Sequence, residues 1–191
     1  VSSARCCDSA ICASGSSTAW LLTVGPTGAV DPESFVHSRY IVIWACNSIS
    51  TNLHHWPFVL EAQKRGAKVV VIDSYRSRTA KAGDWHICPR PGTDGALAMG
   101  FINSIIEQGL VDQDYVDKYT YGYPELKERA AEFTPEYVEK VTGVKAADIA
   151  KFAREFATAQ PSVIRLGVAL ERSVGGGQAI RAACCLPALV G

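Results

Sequence analysis

The chain has 191 residues, 48% of them hydrophobic and 20% charged, and its 19 basic and 19 acidic side chains cancel. That length supports one well-buried domain without disulfide or metal, burying roughly 70% of its unfolded surface, and its composition excludes a disordered or strongly basic nucleic-acid-binding chain. No apolar run approaches the roughly 20 residues of a membrane helix, so direct membrane insertion is not expected. No secretion signal opens the sequence, and a start without Met leaves the compartment, cytoplasmic or periplasmic, open.

In chain order, the run RYIVIWACN (residues 39–47) is apolar on both faces of the pleat and rich in β-branched residues, which predicts a central parallel strand covered on both sides. HWPFVLEAQKRG (55–66) places Phe58, Val59 and Ala62 at helical spacing, with Lys64 and Arg65 in the last turn and Gly66 as C-terminal cap. AKVVVID (67–73) is a second buried strand, so strand, helix and strand form one crossover unit. A short third strand is predicted over 84–90, leading to Pro91, Gly92, Thr93 and Asp94, where Thr93 or Asp94 caps a helix with a buried stripe of Leu97, Gly100, Phe101, Ser104 and Ile105. Residues 112–158 read as helices broken near Gly122, Pro135 and Gly143, packing on the sheet. A strand over 161–167, a flexible loop at Gly175–Gly177 and a helix from Gln178 to Leu189 complete the alternation. The expected fold is therefore α/β: one doubly wound, mostly parallel sheet with helices on both faces, spanning residues 1–191.

Seven cysteines form no CxxC pair. Cys46, Cys88, Cys184 and Cys185 lie in apolar surroundings and are expected as buried free thiols. His54 and His55 precede Trp56, His37 and His86 stand apart, and no metal-binding histidine spacing exists, so surface or packing roles are expected. No paired carboxylates and no GxSxG elbow offer a hydrolytic nucleophile and base.

Ligands of open α/β sheets bind beyond the carboxyl ends of the strands. Those positions are polar here: Asn47, Ser48, Ser50 and Thr51 after the first strand, Asp73, Arg76, Arg78 and Thr79 after the second, and Arg90, Gly92, Thr93 and Asp94 after the third. Asp73 stands where an acidic residue of dinucleotide folds accepts ribose hydroxyls, though Asp at a strand end equally often caps the following turn. Arg76 and Arg78 are candidate phosphate partners. NSISTN (47–52) replaces the GxGxxG turn, which disfavours an ordinary nicotinamide dehydrogenase.

The segments YIVIWACNSISTN (40–52), EAQKRGAKVVVIDSYRSRTAKAGDWHICPRPGTDGALAMG (61–100) and GLVDQDYV (109–116) resemble the molybdopterin oxidoreductase family, which includes formate dehydrogenases and dimethyl sulfoxide reductases. The resemblance runs from about residue 7 to residue 191. It implies a bis-molybdopterin guanine dinucleotide cofactor on molybdenum or tungsten, with this stretch similar to the family's third domain, which grips one of the two dinucleotides. Carried over by motif position, Asn47 and Thr51 would line the phosphates. Asp73 and the turn of Arg76 and Thr79 would meet the guanosine, and Arg90, Gly92, Thr93 and Asp94 a second cofactor edge. Cys12 matches the place of a metal-ligating, hence catalytic, Cys or selenocysteine.

The chain departs from the family at Cys46, where Gly is usual, and at Ser74, where Pro is usual. The resemblance further implies an iron-sulfur cluster in an N-terminal part not in this sequence, the remaining domains of the same enzyme, an electron-transfer subunit and a small-molecule substrate. Nucleic acid is not an expected partner, and the 191 residues alone are expected to be inactive. The alternative is a non-catalytic scaffold domain of a respiratory complex that has lost the cofactor.

Overall fold

The computed structural model describes residues 13–26 and 28–191. Four parallel strands, β1 (Tyr40–Trp44), β2 (Lys68–Ile72), β3 (Trp85–Ile87) and β4 (Ser162–Leu166), form one sheet in the order β3-β2-β1-β4. β1 pairs in register with β2 (Trp44 with Ile72) and with β4 (Trp44 with Leu166), so every strand ends at the same sheet edge. Beyond the last strand residues the bonds continue. Ala45 N donates to Ile72 O at 2.8 Å, Gly167 N to Trp44 O at 2.8 Å and Asp73 N to Ile87 O at 3.1 Å.

β1 is buried along its whole length because both faces are covered. Tyr40, Val42 and Trp44 point to one face and Ile41 and Ile43 to the other, as the two-residue repeat of a strand requires. On the first face lie α5 (Asp94–Glu107), α9 (Ala146–Thr158) and α10 (Gly176–Val190), which bring Leu97, Phe101, Phe152, Phe156 and Ile180 onto the strands, with α1 (Ser14–Val24) packed on α10. Phe101 and Phe152 stack at 3.9 Å between ring centroids. On the second face a 3-10 helix (Pro32–His37), α2 (Ser48–Thr51), α3 (Trp56–Lys64) and α4 (Arg78–Ala82) supply Phe35, Val59, Ala62 and Ala80. The fold is doubly wound, with all four strands parallel.

The connection from β3 to β4 carries α5, α6 (Gln113–Tyr119), α7 (Tyr123–Ala130), α8 (Pro135–Thr142) and α9, and returns the chain to the far side of β1. Strand order thus reverses between β1 and β4, which makes their carboxyl ends the topological switch point. The breaks expected at Gly122, Pro135 and Gly143 each separate two of these helices. α6 to α8 do not rest on the sheet as expected; they pack on α5, α9 and α10 as an outer layer, because α5 and α9 already cover that face.

At the opposite, amino edge of the sheet, Glu155 Oε2 accepts from Tyr40 OH at 3.0 Å and from Lys68 Nζ at 2.6 Å, tying α9 to β1 and β2. Among the described residues no helix is long and apolar enough to cross a membrane.

Two expectations are corrected. Gly175–Gly177 is no flexible loop: Gly175 takes the left-handed conformation (φ 79°) that starts α10, and a Cβ on buried Gly176 would lie 2.2 Å from Leu170 O. Of the four cysteines expected buried, only Cys184 is; Cys88 is exposed beyond β3 and donates to Ser74 O at 3.5 Å, and Cys46 and Cys185 are half-buried.

Candidate functional site at the carboxyl edge

Trp44 ends β1 inside the core, and its indole Nε1 donates to Asp94 Oδ1 at 2.8 Å, which fixes the first residue of α5 beneath the switch point. The carboxylate also sits in the first turn of α5, where the helix dipole favours negative charge. Asp94 Oδ2 has no hydrogen-bond partner among the described residues. Asp73 follows β2, and Tyr75 N–H donates to its Oδ1 at 3.1 Å, so Asp73 does cap its turn. Its second oxygen is likewise uncommitted. Desolvation raises the Asp73 pKa, and the nearby Asp94 charge pushes it the same way, against the Tyr75 N–H and His86, which lower it. Two carboxylates that sense one another therefore stand at the carboxyl edge of the sheet, each with one oxygen that has no hydrogen-bond partner among the described residues.

His86 holds this corner from β3: its Nε2 lies 2.8 Å from Asp73 O, and since a carbonyl only accepts, Nε2 carries the proton.

The turn after β1 is held by buried side chains instead of glycines. NSISTN forms the single helical turn α2, whose Asn47 Oδ1 accepts from Thr79 Oγ1 at 2.9 Å. Ile49 N–H donates to the same hydroxyl at 3.1 Å. Thr79 is fully buried, so it reaches the crevice only through Asn47. On the other side, Cys46 Sγ, Ser48 Oγ and His55 Nδ1 form a chain of contacts at 3.5 and 3.2 Å. His55 is 1% exposed, its ring lies edge-on to Phe35, and burial, with the charge of Arg165 adding to it, lowers its pKa to about 4.

Ala45, between β1 and this turn, is left-handed (φ 53°), and a Cβ on Gly167 would stand 2.0 Å from its carbonyl oxygen. The unusual backbone thus falls one residue before Cys46, where the sequence departs from the family.

The other sequence-derived candidates divide. Thr51 and Arg76 lie on the exposed side of their turns; Thr51 Oγ1 donates to Asn47 O, and Arg76 makes no side-chain bond among the described residues. Gly92 (φ 79°) approaches the loop after β4, where a Cβ would meet Ser173 Cβ at 3.7 Å. Thr93 Oγ1 donates to Arg90 O at 2.7 Å. Arg90 turns away: its guanidinium donates to the carbonyls of Lys140 (2.6 Å) and Val141 (3.1 Å), closing the C-terminus of α8. Cys12 lies outside the described residues. Sequence reasoning missed Trp44 and His86 as positioning groups; an indole directly after the aliphatic stretch Ile41–Ile43 was the available signal for the first.

The family model for molybdopterin oxidoreductases matches residues 9–191. The chain belongs to that family. It is 38% identical over 181 residues to the "Probable oxidoreductase YoaE" of Bacillus subtilis, covering 95% of this chain and 27% of that protein. It is 34% identical over 133 residues to formate dehydrogenase H of Escherichia coli, covering 70% and 19%. A solved structure of acetylene hydratase from Pelobacter acetylenicus superposes with a TM-score of 0.87 at 33% identity, covering 95% of this chain and 25% of that one. The chain thus spans about a quarter of the length of the proteins it matches. Its family membership implies a molybdenum or tungsten pterin cofactor.

Proposed function

We propose that this chain is the domain of a larger molybdenum or tungsten oxidoreductase that grips one guanine dinucleotide of a bis-molybdopterin guanine dinucleotide cofactor. The observation that supports the reading is the placement of Asn47, Asp73 and Asp94 at the carboxyl edge of the sheet, with Asp94 close enough to raise the Asp73 pKa and one oxygen of each carboxylate without a hydrogen-bond partner among the described residues. A guanine presents two adjacent N–H donors on its base edge, and a ribose presents hydroxyls; both are satisfied by acceptor-only carboxylates. The acceptor set therefore fits the group.

In this reading Asp73 and Asp94 receive the guanosine, Asn47 and Thr51 line the phosphates, and exposed Arg76 supplies the cation for them. Gly92 and Thr93 form the crevice wall toward the loop after β4. Thr79 positions Asn47, and Arg90 holds α8 in place. Cys12, one residue before the described part of the chain, supplies a thiolate to the metal, a soft ligand suited to it. The bound metal pterin supplies the electron-transfer chemistry, while the protein binds and orients it. The complete enzyme would carry an iron-sulfur cluster and an electron-transfer partner and act on a small molecule.

Metal analysis of the complete enzyme, with acid release of its nucleotide, tests this. Molybdenum or tungsten together with GMP is expected, and exchanging Asp73 and Asp94 for Asn should lower the GMP recovered per protein. A complete enzyme free of both metals and of GMP would instead identify the scaffold alternative and end the proposal.

A further inference from the structure

We propose that the corner between α6 and α7 is a docking site for an arginine-rich segment of a separate protein. Four of the chain's seven tyrosines fall between Tyr115 and Tyr123. Tyr119 is 72% exposed, and Tyr121, at 103%, is wholly bare. Tyr115 and Tyr119 pair across one helical turn, their ring centroids 5.0 Å apart. Single exposed aromatics are ordinary on a surface, but a cluster of them marks a place of contact, where tyrosine is enriched.

The corner is held in shape before any partner arrives. Thr120 closes α6, its Oγ1 donating to Val116 O at 2.7 Å and its N–H to the same oxygen at 3.1 Å. Gly122 is left-handed (φ 85°), and Pro124 stands in the first turn of α7. Tyr121 and Tyr123 therefore flank a fixed turn, and little ordering cost is left for binding.

The charge around these rings selects the partner. From Asp112 to Glu125 four carboxylates stand against one lysine, in a chain of zero net charge. Two of them, Asp117 and Glu125, line an open cleft of about 420 Å³ together with Tyr121 and Tyr123. Asp117 Oδ1 accepts from Gln113 Nε2 at 2.6 Å, and Glu125 makes no side-chain bond among the described residues. Burial raises the pKa of Tyr123 and the Asp117 charge adds to it, so carboxylate and ring share one cleft. A guanidinium matches both at once: its N–H groups donate to carboxylates while its plane stacks on an aromatic face. Lysine brings the charge without the flat face.

A separate protein fits this surface better than another part of the same polypeptide. Permanent contacts bury mainly apolar surface, whereas contacts that form and dissociate combine aromatic centres with a polar rim. Here hydroxyl-bearing rings alternate with charges, so the surface is at ease in water when empty. α6 and α7 also belong to the outer layer, packed on α10 and α5 instead of on the sheet.

The test uses the complete enzyme and fluorescently labelled octa-arginine, read by anisotropy at about 0.15 M salt, where long-range attraction is screened. Tyr119→Ala with Tyr121→Ala should weaken binding about tenfold, the loss of two cation–π contacts. Tyr121→Phe, which keeps the ring, should bind as the wild type does. Asp117→Asn with Glu125→Gln should weaken binding about as much as the tyrosine pair. Asp31→Asn with Glu33→Gln removes the same charge from exposed positions elsewhere and should change nothing. All the substituted side chains are exposed, so the fold is retained. Nitration by tetranitromethane, mapped by mass spectrometry, needs no variant: Tyr119 and Tyr121 should react in the free enzyme and be protected by octa-arginine. Undiminished binding in the tyrosine pair, or an equal loss in the Asp31 and Glu33 pair, reduces the effect to general attraction and overturns the site. Rings unreactive in the free enzyme are covered by its own other domains, or by a second copy if dilution frees them, and either result overturns the separate partner.

Discussion

Trp44 and Asp94, 50 residues apart, join the last residue of β1 to the first of α5 through one hydrogen bond of 2.8 Å. The donor is buried and the acceptor charged, the class of bond whose loss costs about 1.5–3 kcal/mol. Trp44→Phe removes the donor and part of the ring, so it should destabilise the chain by about 3 kcal/mol once the cavity is added. Urea denaturation would show this as a lower midpoint at unchanged slope, and an unaltered midpoint would dismiss the bond as a structural tie.

The same aspartate acts on its neighbour. Because the Asp94 charge helps hold the Asp73 pKa above its ordinary value, Asp94→Asn should lower it. Carboxyl NMR titration of Asp73 in both proteins reads this directly; an unmoved or raised titration would mean that the two groups are not electrostatically coupled.

His55 gives the fold an acid-sensitive point. Its pKa falls from 6.5 in the unfolded chain to about 4 in the fold, so the unfolded state binds the extra proton between those values. The contribution is fully present above pH 6.5 and is lost as pH falls toward about 4, a span of about 3 kcal/mol. Stability of the wild type should therefore drop more steeply over that window than stability of His55→Gln, measured by denaturation at a series of pH values. Parallel curves would count against it.

Ala45 stores backbone strain beside the crevice. A left-handed alanine costs roughly 1–2 kcal/mol, and glycine removes that cost at some expense in chain entropy. Ala45→Gly should therefore stabilise by about 0.5 kcal/mol, visible as a higher melting temperature. Gly167→Ala should do the reverse, by about 3 kcal/mol, because its Cβ meets a backbone oxygen that cannot move aside. A neutral Gly167→Ala would show the loop after β4 to be looser than described.

The sequence by itself determined the doubly wound sheet. β1, β2 and β4 each fall inside the predicted runs, short by one residue at each end except for three at the carboxyl end of β1, because β-branched runs such as β1 and β2 are buried by covering helices on both faces. The short helices α2 and α4 were not legible, since one helical turn carries no periodicity and depends on contacts such as the Asn47–Thr79 bond and the Ser77 cap of α4. The family, too, could be read from motif order, and with it the expectation that the strand ends carry the site. Only the packing of the chain shows which of those polar side chains are already committed to partners within the fold. Arg90 and Thr79 look equivalent to Asp73 in the sequence, yet one guanidinium closes a distant helix and one hydroxyl is buried under Asn47. The bond from Trp44 to Asp94 and that from Ser16 N–H to the Glu171 carboxylate were likewise invisible, because a hydrogen bond spanning 50 or 155 residues leaves no local pattern in the chain. Each exists only because the sheet brings those segments to one edge.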